Sequence, residues 1–312
     1  MALDHYISQV HLRKFYSPKL GNRMYAIRKK DLKAFTTNAR SVCRIEEGNT
    51  NPYLNEARII EEFLKTVEPD YNSAIEKLQS ANIDGDCIYV IAGFVAYVLT
   101  CSPAAMRLHT HPMRHMIKET SRALDSNNEI PCVPSVLAPK SFTELLENGQ
   151  ISIHVDPKYP QAIGTTSIIN LINNFGNFKW EILVNTIENS PFFTSDFPVA
   201  VEKTANIQIL NRIVPLTPSL AIRICPDFKH ASRQGQYDIS FSGFRYIIRH
   251  LTRQEVMHVN RLLVQCAETT VFFRDNHAWI PDFIKKYSSY RVGIRTVTIG
   301  KLHWVTNGIE RV

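Results

Sequence analysis

The sequence predicts an α+β fold: a small basic α+β opening unit, a helical middle, and a mixed or antiparallel sheet with a late helix. Three observations predict it. Apolar residues recur at helical spacing from about residue 51 to 175. From about residue 180 the apolar segments are short, β-branched or aromatic, and set between turn residues. The two patterns come in blocks, without the regular βαβ alternation of a doubly wound sheet. The division that follows is 1–50 as a basic N-terminal unit, 51–150 as a helical region and 151–312 as a sheet-containing region, packed as one two-lobed body. A chain of 312 residues with 44% apolar side chains can bury a sizeable core.

Each element has a local reason. Residues 5–15 place Ile7, Val10, Leu12 and Phe15 for a short helix that Ser17-Pro18 ends. Residues 23–28 alternate as a strand, and the polar stretch from Glu46 to Asn51 closes the unit. Asn51-Pro52 reads as the start of a long helix carrying Leu54, Ala57, Ile60, Phe63, Leu64 and Val67, stopped by Glu68-Pro69. A second helix covers Asn72 to Leu78. The turn Asp84-Gly85-Asp86 leads into an apolar run from Cys87 to Cys101, read as a buried helix. Ser102-Pro103 caps a fourth helix reaching Leu124, expected to kink at Pro112. Residues 125–140 read as a loop, followed by a helical turn at 142–146 and a helix through Ile168 to Phe175. Strands are expected at 180–187, 192–194, 207–210, 213–216, 220–225, 271–273 and within 292–305. Thr252 with Glu255 three residues on is a capping box that opens a helix to Glu268.

Charge is distributed unevenly. The chain carries 36 Lys and Arg against 29 Asp and Glu, a formal net charge of +7. Residues 1–40 hold nine bases and two acids, which is the entire excess. A second basic stretch, Lys285, Lys286, Arg291, Arg295 and Lys301, has no acid after Asp282. Together the two could form a patch for a polyanion such as RNA or DNA, or serve only as a solvated face. The N-terminus lacks the apolar core of a secretory signal, and the apolar run 87–101 is shorter than the roughly 18 residues that span a bilayer. A cytoplasmic protein with no membrane partner is expected, and a homo-oligomer is compatible with the composition. Six scattered cysteines, without CxxC pairs, read as small core residues of a reducing compartment.

Four ordered segments resemble one family. His5-Tyr6-Ile7-Ser8-Gln9 through Leu12-Arg13-Lys14-Phe15 is similar to an opening His-Tyr-x-Pro-x-x-x-Leu-Arg-x-Phe. Phe192-Phe193-Thr194-Ser195-Asp196-Phe197-Pro198-Val199 is similar to a central Phe-Ile-Thr-Ser-Asp-x-Pro-Val. Pro215-Leu216-Thr217-Pro218 and Val259-Asn260-Arg261-Leu262 followed by Ala267 match a Pro-Leu-Ser-Pro and a late Asn-Arg-Leu helix. The family is "domain of unknown function 4238", widespread in bacteria. Ser8 departs from it, standing where the family usually has Pro. The resemblance implies an ordered intracellular protein and no established activity.

Candidate chemistry centres on two of these motifs. His5 is a general acid/base by its near-neutral pKa, or else a packed or capping side chain. Tyr6 stands beside it. Gln9 and Arg13 follow at one and two helical turns, so all three share a face, and Arg13 suits a phosphate. Asp196 ends an apolar strand, where scaffolds present catalytic carboxylates, although a Thr-Ser-Asp-x-Pro turn also satisfies its own backbone. Ser195 lacks a Gly-x-Ser-x-Gly elbow. Glu56 and Glu62, with Arg58 and Glu61, are placed on the long helix, as metal or water ligands or as a solvated face. Arg107 would pair with Asp196 or a substrate phosphate, or cap carbonyls. Arg28, Lys29 and Lys30 would belong to the basic surface. His109, His111 and His115 lack the intervening Glu of a zinc helix, and no dinucleotide or phosphate loop is present. The function expected from this set is a nuclease-like phosphodiesterase acting on nucleic acid. His5 would move protons, Asp196 with Glu56 or Glu62 would hold Mg²⁺, Mn²⁺ or a water, and Arg13 and Arg107 would steady phosphate. A bacterial defence or toxin-like role would fit by analogy. The alternative is a non-catalytic module binding nucleic acid or protein through the same basic surface. A small-molecule hydrolase would need a closed apolar pocket.

Overall fold

A computed structural model describes residues 3–130, 136, 141–206, 209–227, 238–299 and 302–312, with the side chains of 296–304 left aside. The chain opens with β1 (Leu3–His5), which pairs antiparallel with β4 (Arg44–Glu46). β1 takes the start of the segment expected to be helical, so α1 is confined to Gln9–Arg13. Asp4 is 8% exposed and accepts hydrogen bonds from Arg58 Nη1 (3.1 Å), Arg58 Nη2 (3.2 Å) and the Asn49 N–H (3.0 Å). Between β1 and β4 lie β2 (Met24–Arg28), which forms as expected, and β3 (Ala34–Thr37), which sequence spacing did not show.

The helical middle holds α2 (Ile59–Lys65), α3 (Tyr71–Gln79), α4 (Gly85–Cys101), α5 (Pro103–Ser126), α6 (Phe142–Glu147), α7 (Lys158–Thr166) and α8 (Ile168–Asn177). The first helix does not begin at Asn51. The Asn51 side chain accepts from the Tyr53 N–H (2.9 Å) and donates to the Lys158 carbonyl (2.7 Å) and to Gln161 (3.0 Å). This Asx-turn competes with the helix, so residues 51–58 form turns and Glu56 lies outside any helix. α4 starts where Asp84 accepts from the Cys87 N–H (2.9 Å), and 13 of its 17 residues are buried. Pro103 cannot continue it. Ser102 instead caps α5, which turns away by 58°. Pro112 lies inside α5, one helical element from 103 to 126. No single described helix is long and apolar enough to cross a membrane. The loop expected at 125–140 falls mostly outside the described residues.

The fold class is α+β with a mixed sheet. Five strands run in the order β10-β5-β9-β8-β7, from Arg245–His250, Lys179–Val184, Leu220–Cys225, Leu210–Thr217 and Ala200–Lys203. Only β10 and β5 are parallel in it. A second, antiparallel sheet runs β3-β2-β11-β6, with β11 at Thr270–Phe273 and β6 at Thr194–Ser195. β12 (Tyr290–Ile299) and β13 (Leu302–Arg311) form a long hairpin. α9 (Arg253–Cys266) packs against β6, β7 and β12 and carries the expected capping box: Thr252 Oγ1 accepts from the Glu255 N–H, and the Glu255 carboxylate from the Thr252 N–H. α10 (Ile280–Tyr287) follows β11 and packs on α9.

One apolar cluster passes through all three parts of the chain, from Ile7 and Phe15 through Phe94 and Trp180 to Phe272 and Ile284. A polar thread crosses it. His11 is 0% exposed, stacks on Phe94 with centroids 4.7 Å apart, and bonds Tyr71 Oη through Nδ1 (2.8 Å) and Thr194 Oγ1 through Nε2 (2.7 Å). This one side chain joins α1 to α3 and to β6.

Burial pushes the His11 pKa down to about 3. The unfolded chain therefore binds a proton that the folded chain does not. The stabilisation is fully present above the unfolded value of about 6.5 and is lost as pH falls towards 3, on the order of 5 kcal/mol in all. Urea melts from about pH 7 to 4 should show this slope in the wild type, and His11→Phe should flatten it. The same variant should cost about 2 kcal/mol or more at neutral pH, because it strands the Tyr71 and Thr194 hydroxyls.

Candidate functional site

The Thr-Ser-Asp segment sits at the edge of the second sheet, and its polar side chains face inward. Thr194 meets His11. Ser195 Oγ accepts from the Phe197 N–H (3.1 Å) and shapes the turn before Pro198. Asp196 is 3% exposed and its carboxylate accepts four hydrogen bonds from the α9–β11 connection. The donors are the N–H groups of Glu268 (2.9 Å), Thr269 (2.7 Å) and Thr270 (3.0 Å) and the Thr269 hydroxyl (2.5 Å). Burial raises the Asp196 pKa above the usual carboxylate range, against the pull of these bonds and of the Lys29 charge.

Three other residues singled out in the sequence reach the same place. Lys29 is 6% exposed, so it is not part of the basic surface. Its Nζ donates to the carbonyls of Ala267 (2.6 Å) and Tyr290, and burial lowers its pKa to about 8. Arg107 holds Glu268 with Nε (2.9 Å) and Nη2 (2.7 Å) and donates to the Val292 carbonyl (2.7 Å). It therefore pairs with Glu268, beside Asp196, and not with Asp196 itself. Burial raises the Tyr6 phenol pKa, with Cys43 and Asp196 nearby as further causes. Lys29, Arg107 and Asp196 thus converge on residues 267–270 as structural supports, with Tyr6 beside Cys43.

The expected acidic partners lie elsewhere. Glu62 is exposed and pairs with Lys65 (2.7 Å), and Glu56 is exposed in the turns before α2. Neither bonds Asp196, and the described residues contain no group of three or more His, Cys, Asp or Glu placed to hold a metal ion. Five cysteines are free, four of them buried, while Cys132 lies outside the described residues.

A different, open site forms on the N-terminal unit. His5 Nε2 donates to the Ala39 carbonyl (3.0 Å), leaving Nδ1 to accept from the Gln9 amide (3.5 Å). Gln9 in turn accepts from Arg13 Nη2 (3.1 Å). The expected shared face of His5, Gln9 and Arg13 is therefore a hydrogen-bonded chain. Burial lowers the His5 pKa, opposed by backbone bonds at Ala39 and Arg40. Arg13 opens onto a groove of about 550 Å³ that it lines with Tyr16, Asn22, Asn38 and Arg40. Asn38 Oδ1 accepts from the N–H groups of Arg40 (3.0 Å) and Ser41 (3.1 Å), and Tyr16 Oη accepts from that of Ala39 (2.9 Å), which sets the wall. Of the nine bases in residues 1–40, Arg28 pairs with Asp31 (3.5 Å) and Lys29 is buried. The other seven, Lys30 included, make no ion pair among the described residues. Sequence reasoning counted Arg40 but did not see Tyr16, Asn22 and Asn38. The turn at 38–41 brings Asn38 and Arg40 round to Arg13, while Tyr16 follows Arg13 by one turn, its N–H donating to the Arg13 carbonyl (3.2 Å).

The family model of Protein of unknown function (DUF4238) matches residues 4–277, so the chain belongs to that family. No curated protein and no solved structure matches it.

Removing the Asp196 carboxylate takes the acceptor from three backbone N–H groups and leaves a void in the interior. Asp196→Ala is expected to cost on the order of 3–5 kcal/mol, read as a lower urea midpoint with an unchanged m-value. Asp196→Asn, which keeps one acceptor oxygen, should cost about half as much. A loss of stability under 1 kcal/mol in both variants would refute the structural role.

Proposed function

We propose that this member of the DUF4238 family binds nucleic acid, holding the phosphate backbone of RNA or DNA on its basic N-terminal unit. The observation that carries the reading is the groove of Arg13, Tyr16, Asn22, Asn38 and Arg40. It has two guanidinium groups and no carboxylate on its wall. The exposed bases Arg23, Lys30 and Lys33 and the partly exposed Lys14 have no ion-pair partner among the described residues. Guanidinium forks match phosphate oxygens, and unpaired surface bases release counterions when a polyanion binds. Tyr16 offers an aromatic wall of the kind on which bases stack.

A nuclease-like phosphodiesterase is the second reading, and one observation favours it. His5 is tied through Gln9 to Arg13 at the edge of this groove, and its lowered pKa keeps the imidazole neutral and able to take a proton near pH 7. Arg13 would then hold the phosphate whose cleavage His5 assists. Mg²⁺ or Mn²⁺ would need ligands other than Asp196, whose carboxylate oxygens are already engaged.

Binding to labelled single-stranded RNA and DNA, measured by anisotropy from about 50 to 300 mM salt, tests both readings. Affinity should fall steeply with salt. Arg13→Gln and Arg40→Gln should each weaken binding several-fold and lower the log–log salt slope by about one. Cleavage is followed in the same samples with and without Mg²⁺ or Mn²⁺. Cleavage that His5→Ala abolishes, with binding retained, would move the conclusion to the enzyme. Binding that neither salt nor these arginines affect would overturn both.

A further inference from the structure

A guanidinium lies on the face of the five-stranded sheet without a counter-ion. Arg212 on β8 faces Val201 on β7 and Ile224 on β9, and Ile224 faces Trp180 on β5. Val201, Ile224 and Trp180 beside it are apolar. Arg223, one position along on the opposite face, meets Glu181 and Glu202. The sheet therefore pairs Arg223 twice and leaves Arg212 with no acid. Arg212 Nη2 donates to Asn307 Oδ1 (2.7 Å), a neutral partner, while Nη1 is closed off from solvent and has no hydrogen-bond partner. The residues outside the described set contain no Asp or Glu, so the chain holds no hidden carboxylate for it. Burial lowers the Arg212 pKa to about 10, which still leaves it charged at neutral pH.

Arg212 lines a pocket of about 420 Å³, a volume within the range of small-molecule sites. The pocket lies between α5, the end of α8, the sheet face and the terminal hairpin. Leu108, Phe175, Phe178, Ile224 and Ile294 make its wall apolar, and Arg212, Asn307 and His109 are its main polar groups. Arg212 is half-buried, and a guanidinium withdrawn from water with no counter-ion is costly to keep. An apolar wall around one fixed cation is complementary to an apolar body carrying one negative charge.

We propose that this pocket binds a small carboxylic acid with an apolar body, its carboxylate accepting from the Arg212 guanidinium and its hydrocarbon lying against Phe175, Phe178 and Ile294. This site uses none of the residues of the N-terminal groove and stands independently of the nucleic-acid reading.

The test is calorimetric titration of the full chain with decanoate, and with decan-1-ol as the uncharged match. Saturable binding of decanoate is expected, at least tenfold tighter than the alcohol, since hydrogen bonds to charged groups discriminate by that much or more. Arg212→Met should weaken decanoate at least tenfold and raise the Tm of the ligand-free protein, because an apolar side chain replaces an unpaired charge. Asn307→Asp is nearly isosteric and reads the same quantity should Arg212→Met fail to fold. It places a carboxylate where Arg212 now has an amide, so it should also raise Tm and weaken decanoate at least tenfold. Equal binding of acid and alcohol, undiminished binding in both variants, or no saturable binding of decanoate would each overturn the proposal.

Discussion

A buried polar group must find its partners inside the protein, and the Thr194-Ser195-Asp196 segment is where this protein meets that demand. Three consecutive polar side chains enter an apolar interior. Each closes a different part of it: Thr194 receives the α1 and α3 side through His11, Ser195 turns the chain, and Asp196 ties β6 to the start of β11. The carboxylate is tolerated because four donors replace its water, although burial still raises its pKa. Lys29 and Arg107 then brace the same connection from β2 and α5. Residues far apart in the chain depend on this one knot, so one apolar cluster can run from Ile7 to Val292.

The distribution of pairing separates structural charge from charge that is free to act. Asp4 has Arg58, Glu268 has Arg107, and Arg223 has Glu181 and Glu202. Burial opposes ionisation of Glu202, but His258, Asn211 and Arg223 hold it down to about 2. These pairs are satisfied within the fold and have little left for a ligand. Two places differ. The N-terminal unit carries seven bases that pair with no acid among the described residues, and Arg212 keeps a charge on an apolar face. The first is exposed and suits an extended polyanion. The second sits on an apolar wall and suits a single small anion with an apolar body.

Asp196 and Arg212 show why a residue's type alone does not assign its role. Asp196 has the sequence profile of a catalytic carboxylate, at a strand end in a turn motif, and the fold uses every contact it can make. Arg212 is one arginine in an alternating strand, indistinguishable in the sequence from Arg223. The difference between them is which face of the sheet each occupies and what the neighbouring strands place opposite, because a strand sends successive side chains to opposite sides.

The sequence by itself determined the α+β class, the buried helix read at 87–101, the capping box of α9, the strand read at 23–28 and the excess of charge in the first 40 residues. All of these depend on local spacing, caps and composition, which need no partner. It did not reveal β10, whose Arg245–His250 run forms a strand by pairing parallel with β5, or the delayed start of α2, which Asn51 imposes through α7. Helical spacing placed Gln9 and Arg13 on one face of α1, whereas His5 reaches Gln9 from β1, and the groove beside them was not legible because the turn at 38–41 supplies its far wall. Whether Asp196 faced solvent, whether Lys29 lay on the surface and whether Arg212 had a counter-ion were decided only by tertiary structure. Each depends on which segments distant in sequence come within hydrogen-bonding reach, about 3 Å, and local patterning does not carry that information.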